Sequence, residues 1–136
     1  CRQYNCNFLI NAGLKGDGTV KPIDRYSIEG IGKWIRKNKS FIYEARRAEF
    51  EADEAIIMKD EKWCYAIIED VSDPNVAKSY GNLNRTVKLH TDKKIISATW
   101  LDSGEKIALT DRQSFKVLPF SYGHSWYARV ARFKLK

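Results

Sequence analysis

Ala55-Ile56-Ile57-Met58-Lys59-Asp60-Glu61-Lys62-Trp63-Cys64-Tyr65-Ala66-Ile67-Ile68 sets two short apolar runs on either side of a charged turn. Neither run reaches the ten or so residues a helix needs, and both are rich in β-branched and aromatic side chains, so both read as strands. Trp63–Ile68 is apolar on both faces, which predicts a central strand covered from two sides. Further runs recur downstream at Thr86–His90, Ile95–Leu101, Lys106–Leu109, Phe115–Leu118 and Trp126–Leu135. Turn-rich punctuation separates them: Asp73-Pro74-Asn75, Thr91-Asp92-Lys93 and Asp102-Ser103-Gly104. Seven short strands at this density indicate an antiparallel β-sandwich or barrel. Alternation places Val87 and Leu89 inward with Lys88 outward, and Ile107 and Leu109 inward. In the last strand it sets Val130 against Ala131, Phe133 and Leu135, with Arg129 and Arg132 assigned to solvent. Trp63, Trp100 and Cys64 read as core.

Upstream the period changes. Phe8-Leu9-Ile10 reads as a strand, and the loop Gly13-Leu14-Lys15-Gly16-Asp17-Gly18-Thr19 carries three glycines within six residues. Pro22 and Asp24 suit the first turn of a helix, and Ile28, Ile31 and Ile35 recur at helical spacing with Trp34 beside them. The helix is expected over Ile23–Lys37, with Lys33, Arg36 and Lys37 near its negative end and Asn38 as a left-handed cap. The whole is mainly β: an antiparallel sandwich preceded by one strand-loop-helix unit. One strand and one helix ahead of a complete β unit look like the tail of something larger. The start at Cys1, without Met, predicts a cut from a longer protein.

Composition bounds the rest. The chain has 136 residues, 43% of them hydrophobic and 30% charged. A chain this size buries roughly two-thirds of its unfolded surface and folds without disulfides or metal. Four Trp, seven Tyr and six Phe are too much apolar surface to leave solvated, which excludes disorder. No run of about 18 apolar residues exists to span a bilayer. The net charge of +7 is spread over both halves, and acids interrupt nearly every basic cluster. Nucleic-acid modules concentrate charge on one face and add a motif, so no nucleic-acid partner is expected, and a basic nucleic-acid-binding domain stands only as a last alternative. Cys1, Cys6 and Cys64 show no C-x-x-C spacing, and His90 and His124 have no companions, so neither metal nor cofactor is expected. Asn38-Lys39-Ser40 and Asn84-Arg85-Thr86 match the glycosylation acceptor pattern, as chance allows.

The stretch Asn7-Phe8-Leu9-Ile10-Asn11-Ala12-Gly13-Leu14-Lys15-Gly16-Asp17-Gly18-Thr19-Val20 resembles the end of the catalytic barrel in α-L-fucosidases. Ile31-Gly32-Lys33-Trp34-Ile35-Arg36-Lys37-Asn38 and Phe41-Ile42-Tyr43-Glu44-Ala45-Arg46 continue the resemblance, which covers roughly residues 5–46. It departs from the family at Cys6 and Lys39, where Gly is usual, and at Leu14, where Pro is usual. Losing that Pro relaxes the loop and suggests a divergent member.

The resemblance implies that residues 1–46 are the last strand, loop and helix of an eight-stranded barrel. Residues 47–136 are then the family's C-terminal β-sandwich domain. It implies a retaining glycosidase as parent, acting on terminal α-L-fucosyl linkages with two carboxylates that lie upstream of this chain. Asp17, Asp24, Glu29 and Glu44 are therefore not assigned to catalysis: Asp17 is turn chemistry, Asp24 and Glu29 complement the helix dipole, and Glu44 has no identifiable partner. The chain alone is expected to be inactive. Asn11 and Lys15 would lie on the substrate-proximal rim, because barrel chemistry sits at the C-terminal strand ends. As an alternative, a carbohydrate-binding module would use Tyr122 and Trp126 for sugar stacking. The implied partners are the parent barrel and, through it, fucosylated glycans; an unpaired Phe8–Ile10 strand predicts disorder, fold-back or self-association. Location by resemblance is secreted, periplasmic or lysosomal, with no membrane contact.

Overall fold

The computed structural model describes residues 1–69, 71, 85–118 and 128–136. Among them are two helices, α1 (Pro22–Lys37) and α2 (Lys39–Glu44), and eight strands. The strands are β1 (Arg46–Arg47), β2 (Ala52–Asp53), β3 (Ile56–Lys59), β4 (Cys64–Glu69), β5 (Thr86–Leu89), β6 (Ile95–Trp100), β7 (Ser114–Lys116) and β8 (Ala128–Leu135). They form an antiparallel five-stranded sheet in the order β1-β3-β4-β8-β6 and a three-stranded sheet in the order β2-β5-β7. The two sheets face each other, as the mainly β sandwich reading requires.

β4 is the middle strand of the larger sheet, and its period-two alternation supplies two cores at once. Ala66 and Ile68 point into the space between the sheets with Ile57, Val87, Leu89, Trp100, Phe115, Ala131 and Phe133. Tyr65 points the other way, with Met58 and Val130, against Phe41 and Ala45 of the helical layer. The result is three layers: helices, five strands, three strands. Trp100 and Phe115 meet edge to face at 6.4 Å across the inter-sheet core. Cys64 is half-buried at the margin of that core, not fully enclosed, and burial pushes its thiol pKa upward.

Several expectations are corrected. Lys106–Leu109 is no strand; Lys106 bridges to Thr99 of β6 and Leu109 to Phe115 of β7. The segment therefore crosses from one sheet to the other, which buries Ile107 but leaves Leu109 exposed. Arg129 is buried at 6% exposure, on the same face as Ala131 and Phe133. Residues 6–13 form no strand, and Phe8 and Leu9 stand exposed, because a lone strand has no neighbour to satisfy its backbone.

Helix α1 starts with Pro22 in its first turn and carries Asp24 there, as the dipole favours. Its end is not left-handed: Asn38 has φ −108° and ψ 16°. No reversal is needed, because the chain goes straight on into α2. The Asn38 backbone N–H donates to the carbonyls of Trp34 and Ile35, and its side-chain Nδ2 donates to Trp34 O at 2.9 Å. The buried Asn38 is thus consumed by the bend, which removes it as a glycan acceptor; Asn84 lies outside the described residues. Trp34 anchors α1 to the sheet through an indole N–H donated to Ala128 O at 2.9 Å and an edge contact with Phe41.

Candidate functional site

Three features outside the cores have the chemistry for a role. The first is the glycine loop. Lys15 N–H donates to Thr19 O and Gly18 N–H to Lys15 O, so the loop closes on itself, with Leu14 bridging to Val20. Gly18 sits at φ +80°, a left-handed conformation that glycine takes without strain. Asp17 accepts the backbone N–H and hydroxyl of Thr19, and these bonds hold its carboxyl below the usual range. That is turn chemistry, as the Asp-Gly pair suggests. Asn11 and Lys15 are exposed on this segment. Tyr122 and Trp126 lie outside the described residues.

The second feature is an apolar face confined to the first 43 residues. Phe8, Leu9, Leu14, Ile23, Tyr26 and Tyr43 are all more than 60% exposed. Ile28 and Ile31 are exposed as well, so the β unit does not cover the helix stripe; Trp34, near the helix end, packs against the sheet. So many large apolar side chains exposed within one short segment mark a contact surface.

The third is a cleft of about 450 Å³ beside the β3–β4 turn, with Ser40, Glu44, Asp60, Trp63, Tyr65 and Arg132 on its walls. Asp60 organises it. One carboxylate oxygen accepts the backbone N–H groups of Lys62 and Trp63, both at 2.7 Å, and the other accepts the Tyr65 hydroxyl at 2.6 Å. Burial works to raise the Asp60 pKa, but these hydrogen bonds outweigh it and hold the carboxylate low. Burial, reinforced by the Asp60 bond, pushes Tyr65 up to about 12. Asp60 read in the sequence as an ordinary turn residue, and nothing in the strand pattern linked it to Arg132 on β8. The signal was available only locally, in an Asp placed to cap the turn before Trp63.

The tyrosine carries a pH prediction. Its folded pKa lies above the unfolded value near 10, so its contribution is complete below pH 10 and is lost as pH rises through 12. At pH 11.5, still below the folded value of about 12, the loss is about 1–2 kcal/mol, less than full linkage gives. Urea denaturation at pH 9 and pH 11.5 should show this drop for the parent and a smaller one for Tyr65→Phe; equal drops refute it.

Among the described residues no group of three or more His, Cys, Asp or Glu side chains could hold a metal, and no helix is long and apolar enough to cross a membrane. No family model matches this sequence, and no curated protein matches it. Solved structures do. α-L-Fucosidase isoenzyme 1 from Paenibacillus thiaminolyticus superposes with a TM-score of 0.72 at 17% identity, over 100% of this chain and 32% of that one. A Bacteroides thetaiotaomicron α-L-fucosidase of the GH29 group, held as a trapped covalent intermediate, gives 0.63 at 21% identity over 93% and 28%. The Thermotoga maritima α-fucosidase gives 0.59 at 16% over 93% and 30%. The chain thus spans about 30% of the length of the structures it matches. Its sandwich with attached helices has the fold of a segment of α-L-fucosidases.

Proposed function

We propose that this chain is the non-catalytic, C-terminal part of an α-L-fucosidase acting on terminal α-L-fucosyl linkages in glycans. The observation that carries the reading is the apolar face of residues 8–43. Phe8, Leu9, Ile23, Tyr26 and Ile28 are exposed to solvent, and they belong to the same residues that resemble the end of a catalytic barrel. In this reading the rest of the barrel covers Phe8, Leu9, Ile23, Tyr26 and Ile28, and residues 47–136 brace it as a separate domain. Asn11 and Lys15 then stand at the pocket rim, where Lys15 donates hydrogen bonds to a sugar hydroxyl. The two carboxylates of a retaining mechanism belong to the preceding barrel strands. Glycan substrates outside the cytosol place the enzyme in a secreted, periplasmic or lysosomal setting.

The test has two arms. A chromogenic α-L-fucoside incubated with this chain alone should show no turnover above background. The coding sequence ahead of Cys1 should encode a barrel with an Asp or Glu pair at its strand ends, and the extended protein should hydrolyse the same substrate. Turnover by the chain alone, or an inactive extended protein, overturns the proposal.

A further inference from the structure

We infer that the cleft beside the β3–β4 turn is a binding subsite for a neutral saccharide, with Arg132 and Glu44 as its principal contacts. The inference stands on the cleft itself and does not rest on the fucosidase reading. Arg132 is half-buried on the outer face of β8, opposite Tyr65 in register. Its guanidinium lies over the Trp63 ring at 4.4 Å, and Lys134 Nζ lies 4.5 Å from the same ring. The ring is thus already occupied by cations and serves to hold Arg132 in place. Arg132 Nε is buried without a hydrogen-bond partner, and the side chain forms no ion pair among the described residues. A fixed guanidinium with unspent donors on a cleft wall is a preorganised site for an oxygen ligand.

Glu44 supplies the opposite chemistry. Its exposed carboxylate lines the same cleft yet pairs with no cation among the described residues. Asp60 is not available for a ligand, since its oxygens already serve Lys62, Trp63 and Tyr65. The Ser40 hydroxyl is likewise engaged, with Tyr65. The cleft therefore offers unspent donors on Arg132 and a free acceptor on Glu44. A simple anion would meet Glu44 and Glu61, and a simple cation would meet Arg132 and Lys62. A ligand that both donates to Glu44 and accepts from Arg132 suits these walls, and vicinal sugar hydroxyls do both.

The test is titration of the isotopically labelled protein with methyl β-D-galactoside, methyl α-L-fucoside and lactose, followed by backbone and indole N–H chemical shifts. D-Glucuronate and sodium sulfate are the anionic arms. At least one neutral sugar should give saturable shifts, with millimolar affinity, centred on residues 60–65 and 132. Glu44→Gln and Arg132→Lys should each weaken it about tenfold, as expected for one charge-assisted hydrogen bond. Glu44 is exposed, so its variant carries the test alone if Arg132→Lys disturbs the fold. No saturation by any neutral sugar up to about 100 mM, where even weak subsites fill, overturns the proposal. So does tighter binding of glucuronate or sulfate, or binding that both variants leave unchanged.

Discussion

Trp100→Ala should destabilise the protein by about 3–5 kcal/mol, the usual cost of removing a large aromatic side chain from a closed core. Trp100 has no exposed surface, meets Phe115 edge to face, and supports the Arg129 guanidinium 4.1 Å above its ring. It sits where β6, β8 and the smaller sheet converge, so little can collapse into the cavity. A domain of this size has about 5–15 kcal/mol in total, and the variant would keep only a fraction of it. Ile96→Ala, on the same strand but 55% exposed, should cost under about 0.5 kcal/mol and controls for strand propensity. Urea unfolding followed by circular dichroism measures both midpoints. A Trp100→Ala loss below about 1.5 kcal/mol would mean that the core between the sheets is not closed as described.

What the sequence could disclose followed from how local each signal was. β4 was legible because a strand buried on both faces must be apolar throughout, and Trp63–Ile68 is. Helix α1 was legible from Pro22, Asp24 and the Ile28/Ile31/Ile35 spacing, all within one element. Lys106–Leu109 alternates like a strand, but alternation does not reveal that its two ends bond to different sheets. The edge pairs β1 and β2 are two residues each, too short for any period to register. Phe8–Ile10 is apolar enough for a strand, yet a strand exists only with a partner, and none pairs with it among the described residues.

The cleft was illegible for a related reason. Ser40, Asp60, Tyr65 and Arg132 come from a helix, a turn and two strands, and only the β4–β8 register joins them. Glu44 lacked a partner in the sequence reading and lacks an ion pair among the described residues, so one observation survived both levels. The exposed face of residues 8–43 and the fully packed β unit also differ in kind. Among the described residues, every large, fully buried side chain belongs to the sheets. The helical layer is held by Phe41, Ala45 and the end of α1, leaving its outer stripe for another surface.

Asp102→Ala should be the most damaging change of a polar residue. Arg129 was assigned to solvent because arginine within an alternating strand is usually a surface residue. Instead its Nε lies 3.2 Å from Asp102, its Nη1 donates to Leu118 O at 2.8 Å, and its side chain is 7% exposed. Alternation alone could not exclude this, since Arg129 has the parity of Ala131 and Phe133 and points to the core side. Removing the carboxylate takes from this buried guanidinium the charge that Asp102 supplies, a change that costs about 3–5 kcal/mol for a fully enclosed pair. Here the Leu118 carbonyl and the Trp100 ring remain, so the expected loss is about 2–4 kcal/mol. Replacing both partners, Asp102→Ala with Arg129→Met, should recover most of it, because the buried charge itself is then gone from the core. The double-mutant cycle read by urea midpoints separates the two ideas: a pair that merely sits together would give additive losses and a coupling below about 0.5 kcal/mol. Strong coupling instead identifies the ion pair as the link between the turn after β6 and the start of β8. Since Trp100 lies under the same guanidinium, combining Trp100→Ala with Asp102→Ala should then cost less than the two losses summed.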